Sequence, residues 1–465
     1  MKRRWLILGL VALALTTAVV NAQLSRDFAG EFLNNPSGRA LVQAFGALKT
    51  GYLHDVNDQD LIRGAINGMV SSLNDPFTSY IEPKAAAFDT QQMSGQYEGI
   101  GAVLTPHNRQ TGKGVEILTV YKGGPADQAG IERGDLFLKV DGVDVSDKTS
   151  SDVADLVRGP KGTSVHLTMR RPGQDQPLEF AVQRDTIKVV DVSSTMLPNH
   201  VGYVALSSFN NQKINDQLTQ QVDALKKQGA TSLILDLRDN PGGLLTEAID
   251  VSDDFLSHGD IVFQRARGVT QRLASADPQQ LFSGPMVVLV NHNSASASEI
   301  VSAALKDNGR AKVVGEKTFG KGVAQSVVSL SDGGQLRYVS FEWLTPDRTN
   351  IQKKGITPDI MAADTRYPNT ISVDGRGADP GQTIQIVVGG KTVGTTKADA
   401  DGAFQFVTQG PMPQISGVQG QAVVDLQGDH ALKVAFDTVL NEAQSASSTT
   451  QAPSGKAAAS ANASH

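Results

Sequence analysis

Between Val201 and Leu305 the spacing of apolar residues switches repeatedly between the two periods that regular secondary structure allows. Val201–Ser207, Leu233–Leu237 and Met286–Asn291 are apolar runs of strand length. Ile214, Leu218, Val222 and Leu225 instead recur at helical spacing, as do Ala297, Ile300, Val301, Ala304 and Leu305, and a further helix is expected after Gly243. Strands that alternate with amphipathic helices predict an α/β core.

The 465 residues, 40% of them hydrophobic, can bury more than one core, so two to four domains are expected. Residues 23–94 read as a helical region, in which Leu61, Ile62, Ala65, Ile66, Met69, Val70 and Leu73 keep helical spacing until Asp75-Pro76 breaks it. From Gly95 to Asp185 short strands and turns take over, with Gly123-Gly124-Pro125, Arg133-Gly134-Asp135 and Val140-Asp141-Gly142 as punctuation. The core occupies 186–367 and ends in a β-hairpin, Val323–Leu330 with Gln335–Leu344. A β-rich stretch follows at 368–425, then a closing segment at 426–443 with a helix over Ala431–Leu440. The Ser-, Ala- and Thr-dominated residues 444–465 read as a disordered tail.

Lys2, Arg3 and Arg4 precede an apolar run from Trp5 to Val20, and Val20-Asn21-Ala22 has small residues where a signal peptidase would cut. Residues 1–22 are therefore a signal peptide or an uncleaved anchor, and the rest is expected in the periplasm or outside the cell. The absence of cysteine excludes disulfides and cysteine nucleophiles. A net charge of −6, from 42 basic and 48 acidic residues without a long basic run, gives no footprint for nucleic acid. Eight scattered histidines with no H-E-x-x-H pair give no metal site.

Two segments can carry chemistry. Asn293-Ser294-Ala295-Ser296-Ala297-Ser298-Glu299 sets small hydroxyl residues on a turn beside the unpaired amides of a helix start. Such amides can stabilise an oxyanion, or the serines can simply cap the helix. Thr318-Phe319-Gly320-Lys321-Gly322-Val323-Ala324-Gln325 places a lysine between two glycines ahead of a strand. A lysine can activate a serine hydroxyl only when neutral, which at pH 7 requires burial to depress its pKa at a cost of about 4 to 5 kcal/mol. Gln325 can orient such an amine without favouring its charged form. Read alone, Lys321 is equally a surface lysine and Gln325 an ordinary strand residue.

Three motifs in order, Asp236-Leu237-Arg238-Asp239-Asn240-Pro241-Gly242-Gly243, Ser294 to Ile300 and Thr318 to Gly322, come after a segment at 95–185 that resembles a PDZ domain. Together they resemble the carboxy-terminal processing peptidases, with coverage from Leu61 to Ile360 and again in the final helix. The resemblance implies a multidomain α/β protein: helical N-terminal segment, PDZ domain, α/β serine protease core. It implies Ser296 as nucleophile, Lys321 as general base, Gln325 as the residue that orients the lysine, and the amides of Gly242 and Ala297 as the oxyanion hole. Gly99, Ile100, Gly101 and Ala102 would bind the free carboxylate of a peptide that adds to the sheet edge. Arg238, Asp239 and Glu299 are expected to hold the turns rather than touch substrate.

The implied reaction is cofactor-free hydrolysis of exported or envelope proteins near their carboxyl ends, through an acyl-enzyme. The implied partners are proteins or peptides with accessible C-terminal tails, and a homo-oligomer is compatible with this reading. One departure from the family is the insert at 368–425, where Ala398–Phe404 resembles a hairpin of bacterial immunoglobulin-like domains. It is expected to be a small β-domain that binds an envelope partner or is simply tolerated at the surface.

Three rivals are weaker. Gly315–Gly322 reads G-x-x-x-x-G-K-G, but Gly322 stands where a phosphate loop needs a magnesium-binding hydroxyl, and a strand comes next where it needs a helix. An inert scaffold would have kept Ser296, Lys321 and Gln325 without need. His292 sits on the same tight turn as Ser296 and cannot easily reach over it.

Overall fold

The structure is a computed structural model and describes residues 28–108, 113–121, 123–174, 176–366, 372–388, 391–398, 402–407 and 420–450. The chain divides into two compact units, residues 1–81 with 335–338, and residues 82–334 with 339–465. The expected leader at 1–22 lies outside the described residues.

In the first unit, helices Pro36–Gly51 and Asp58–Ser71 are each started by an asparagine, Asn35 and Asn57, whose side-chain oxygen accepts an amide two residues on. Helical spacing therefore reads correctly over Leu61–Val70. Ser79–Ile81, beyond Asp75-Pro76, pairs instead as a strand with residues 335–337. The helix Asp58–Ser71 has no buried residue, and Leu41, Val42, Leu53, Ile62 and Met69 are exposed.

In the second unit, strands Ala102–Asn108, Lys113–Val120, Leu136–Val140, Ser164–Arg170 and Leu178–Gln183 pair in that spatial order, with helix Ser150–Val157 packed beside the first three. Ile117, Phe137, Val153, Val165 and Leu167 fill the core of this module. Both ends of its chain leave together, because Gln96–Gly99 pairs antiparallel with Asp185–Lys188. Beyond that ribbon the chain is tied to the core: Val189 N–H donates to Gly95 C=O, and Gln212 N–H to Met93 C=O. Arg158 lies over the Phe88 ring, 3.4 Å from its centroid.

The core sheet runs, in spatial order, Val192–Leu197, Val201–Leu206, Ser232–Asp236, Met286–Val290, Lys312–Gly315, Ile360–Met361. The first pair is antiparallel and the rest parallel. Ser232–Asp236 and Met286–Val290 are buried throughout, as strands covered on both faces must be. Leu233, Leu235, Met286 and Val288 pack with helices Ile214–Lys227, Leu245–Asp253 and Ala297–Asp307 on one face. The alternate residues Ile234, Val287 and Leu289 pack on the other face against Ala431, Leu432, Ala435 and Phe436 of the closing helix.

That helix spans His430–Thr450, longer than the expected Ala431–Leu440 and extending into the segment read as a tail; residues 451–465 lie outside the described residues. The expected hairpin is present as Val323–Ser329 with Gln335–Leu344. A second hairpin, Asp260–Ala266 with Val269–Ser275, carries too little apolar alternation to be read in advance. Within the insert, Ser372–Arg376 pairs with Ala403–Val407 and Thr383–Val388 with Lys391–Lys397, two separate two-stranded ribbons among the described residues.

At the joint between the module at 95–185 and the core, burial pushes Asp191 up to about 6, against hydrogen bonds from Asn211 and Ser207 that favour its charge. Its folded pKa lies above the unfolded value, so the folded state holds the extra proton and stability falls as pH rises from about 4 to about 6. Asp191→Asn should melt with the wild type at pH 4 and be about 2 kcal/mol more stable at pH 7, as thermal unfolding at both values would show.

Candidate active site

The three sequence motifs leave the carboxyl ends of three neighbouring parallel strands, Ser232–Asp236, Met286–Val290 and Lys312–Gly315. Open α/β sheets place their sites in this crevice, because side chains from successive loops converge there.

Ser296 stands between strand and helix with φ 55° and ψ −112°, a conformation that a non-glycine residue rarely adopts. The helix and the neighbouring turn hold it there: residues 297–305 are all buried, and Ala295 N–H and Ser298 Oγ both donate to Asn240 C=O. The same turn forms a capping box, in which the Ser296 side chain faces the Glu299 N–H while the Glu299 carboxylate accepts the Ser296 N–H. At the same turn the Ala297 N–H, at the positive end of the helix, donates to no group among the described residues.

The Gly242–Gly243 turn abuts this point. A Cβ on Gly242, which has φ 95°, would lie 2.7 Å from Ala295 O and 2.8 Å from both Ala297 N and Ser296 Cβ, so only glycine fits. Its amide is engaged, however, donating to Asn240 Oδ1 at 2.9 Å. Gly243 N–H has no acceptor among the described residues, while its neighbours bridge to Phe209. The sequence motif contains Asn240, Gly242 and Gly243, but the role expected of it falls to Gly242 alone.

Lys321 Nζ donates to Gln325 Oε1 at 2.7 Å. The lysine loop lies against residues 351–356: a Cβ on Gly320 would meet Lys354 N and Gly355 N at 2.8 Å, and Gly322 N–H donates to Gln352 Oε1. Trp343 Nε1–H donates to Lys321 C=O at 2.9 Å.

Glu299 connects the serine and the lysine. Its Oε2 accepts Ser296 N–H at 2.8 Å and Lys321 N–H at 2.9 Å; its Oε1 accepts Thr318 Oγ1 at 2.6 Å and Gly320 N–H at 2.7 Å. Burial raises its pKa, and these four donors pull in the opposite direction. The expectation that Glu299 holds turns is thus given a specific geometry.

A second polar cluster lies beneath the Asp239–Gly243 turn. Arg238, 1% exposed, pairs with Asp236, Asp364 and Asp429. Asp364 is buried, yet the Arg366 and Arg238 guanidiniums hold it down to about 2. Asp364, Arg366, Asp429 and Asn291 come from distant positions with no motif of their own, and sequence reasoning missed them. His292 Nδ1 is 3.0 Å from Glu316 Oε2, and no hydrogen bond joins its ring to Ser296 among the described residues.

In the module expected to be a PDZ domain, Gly99 pairs with Asp185 and Ala102 opens the edge strand Ala102–Asn108. Between them Ile100 is buried, and the N–H groups of Ile100 and Gly101 donate to nothing among the described residues. A cavity of about 600 Å³ in this module is lined by Gly123–Pro125, Lys161 and residues 181–188, none of them in the Gly99–Ala102 loop.

Residues 200–362 match the family described as Peptidase family S41, residues 116–171 the PDZ domain family, and residues 21–85 the family described as Activating protease CtpB N-terminal domain. The chain is 34% identical over 400 residues to the carboxy-terminal processing protease CtpA of Bacillus subtilis, covering 83% of this chain and 84% of that one. It is 38% identical over 322 residues to the carboxy-terminal-processing protease of Bartonella bacilliformis, covering 68% and 73%. Among solved structures, the photosystem II D1 C-terminal processing protease matches with a TM-score of 0.45 and 32% identity over 71% of this chain and 87% of that one.

Glu299→Gln keeps the shape but must turn an NH2 group toward one pair of donors. It should destabilise the protein by about 2 to 4 kcal/mol and cut kcat, measured by denaturant unfolding beside peptide hydrolysis.

Proposed function

The chain belongs to peptidase family S41 as a carboxy-terminal processing protease, and from that premise we propose that Ser296 is its nucleophile and Lys321 its general base. It is a serine-type peptidase with a PDZ domain. The observation that carries the proposal is the strained backbone of Ser296, tied through Glu299 to the loop in which Lys321 meets Gln325.

In the proposed reaction, neutral Lys321 Nζ takes the proton from Ser296 Oγ as the oxygen attacks the scissile carbonyl carbon. Ala297 N–H and the Gly242–Gly243 turn receive the oxyanion; for Gly242 N–H to serve, it must leave Asn240 Oδ1. Collapse of the tetrahedral species breaks the C–N bond, Lys321 returns the proton to the departing amine, and an acyl-enzyme remains. Water, deprotonated by Lys321, then frees Ser296 and the new carboxylate. Gln325, uncharged, orients the amine and adds no charge that would keep it protonated.

The substrates proposed are exported or envelope proteins with accessible carboxyl ends, read by the amides of Gly99, Ile100, Gly101 and Ala102. The unengaged Ile100 and Gly101 amides beside the edge strand Ala102–Asn108 support this. The apolar run behind Lys2–Arg4 supports an exported location, and the insert at 368–425 is read as a small immunoglobulin-like β-domain that offers a surface to an envelope partner.

Ser296→Ala, Lys321→Ala and Lys321→Arg should each lower cleavage of an unfolded protein with a defined tail to background while leaving the melting temperature near that of the wild type. Substantial turnover by any of the three removes that assignment. Amidating the substrate's carboxyl end should weaken binding to the Ser296→Ala protein roughly tenfold or more, as read by titration, and equal affinity would separate the PDZ domain from carboxylate recognition.

A further inference from the structure

Asp239 begins the turn that carries Gly242 and Gly243, and it does so with φ 59°, in the left-handed region that aspartate enters more readily than most non-glycine residues. Groups from elsewhere in the chain hold it. Its Oδ1 accepts Asn291 Nδ2 at 2.8 Å and Asn293 Nδ2 at 2.9 Å, and its Oδ2 accepts the Arg366 guanidinium at 2.6 Å. Its own N–H donates to Asn291 Oδ1 at 2.9 Å. Asn291 and Asn293 open the turn that ends in Ser296, so this one carboxylate joins the oxyanion turn to the nucleophile turn.

Arg366 in turn is fixed by Asp364, which accepts its Nε at 2.9 Å and its Nη2 at 2.6 Å. Asp364, 3% exposed, also accepts Asn291 Nδ2 at 3.0 Å and pairs with Arg238. The same guanidinium nitrogen therefore bridges two carboxylates, Asp239 and Asp364. Without that cation Asp364 would keep Arg238, but Asp239 would lose the guanidinium that draws it toward Asp364, and repulsion between the two acids would push the turn out of place. Arg366 stands where the chain leaves the core for the insert; Asp429, which pairs with Arg238, stands where it returns.

We infer that Arg366 is a positioning residue for peptide hydrolysis: through Asp239 it sets the Gly242–Gly243 turn against the Ser296–Ala297 turn, so that the oxyanion donors are in place when the tetrahedral species forms. The inference rests on the reading of Ser296 as the nucleophile. Arg366 touches no reacting atom, and its effect belongs to the transition state and not to substrate binding.

The test uses the full chain with Arg366→Gln, Arg366→Lys, Asp239→Asn and the double variant Arg366→Gln/Asp239→Asn. The readouts are kcat and KM on an unfolded substrate, Ki for a peptide aldehyde that forms a tetrahedral adduct, and affinity for the cleaved product peptide. Arg366→Gln should lower kcat roughly 10- to 100-fold with KM within about twofold, and weaken the aldehyde by the same factor as kcat/KM while product affinity holds. Arg366→Lys should recover part of the loss, and the double variant should be no slower than Arg366→Gln, since both changes break the same Asp239–Arg366 contact.

An unchanged kcat, a loss confined to KM, aldehyde binding that stays at the wild-type level, or losses that multiply in the double variant would each overturn the inference. Should Arg366→Gln not fold, Arg366→Lys and Asp239→Asn carry the same comparison of kcat with aldehyde affinity. Activity retained by Ser296→Ala would remove the underlying reading of the site. An inert Ser296→Ala beside a fully active Arg366→Gln would remove this inference alone.

Discussion

One buried carboxylate holds the site together. Glu299 lies in the first turn of the helix that Ser296 begins, and it accepts the backbone amides of both Ser296 and Lys321 on a single oxygen. The serine and lysine loops leave neighbouring strands, and beyond the ladder Phe319 N–H donates to Ser294 C=O while the Glu299 carboxylate bridges the ends that carry Ser296 and Lys321. Burying a carboxylate is costly, and only a full set of donors offsets it. Thr318 and Gly320 complete that set, so the same charge that positions the serine also closes the lysine loop. The energetic stake makes the arrangement stiff: shifting either loop would leave a buried oxygen unsatisfied.

Strain at Ser296 and Asp239 has the same origin. Each residue has a positive φ, rare for serine and more accessible to aspartate, and each lies on a turn clamped by groups from elsewhere. Ser296 is clamped by a helix whose residues 297–305 are wholly buried and by hydrogen bonds to Asn240. Asp239 is clamped by asparagines of the nucleophile turn and by a guanidinium. The sheet supplies a rigid floor, with Ile234, Val287 and Leu289 covered by the closing helix and their alternates by the helices opposite. Packing energy spread over that core sustains a few residues in unfavourable conformations at its rim.

Much of this is legible in the sequence because it is local. The switching period between Val201 and Leu305 predicts the strands and helices of the core nearly to their ends, and the paired glycines around Lys321 predict the close backbone approach found there. What escapes depends on partners far apart in the chain. Arg238 pairs with Asp364 and Asp429, and no periodicity or motif marks either acid. The closing helix is readable as a helix, but its covering of the second sheet face is not, since strands buried on both sides look the same whatever covers them. Gly242 stands out for its missing side chain. Its amide is engaged by an asparagine two residues earlier, a turn chemistry that Asn240-Pro241-Gly242 allows but does not announce. In the first unit helical spacing gives helices whose apolar residues are exposed or half-buried, because spacing reports a face and not what packs on it.

The central claim is that Lys321 makes Ser296 nucleophilic. Intact-mass measurement after exposure to a fluorophosphonate, followed by peptide mapping, tests it without any substrate or PDZ contribution. One adduct per chain on Ser296 in the wild type, and none on the same timescale in a folded Lys321→Ala protein, is the result predicted. Equal labelling of Ser296 in the two proteins, or an adduct on another serine, would contradict it.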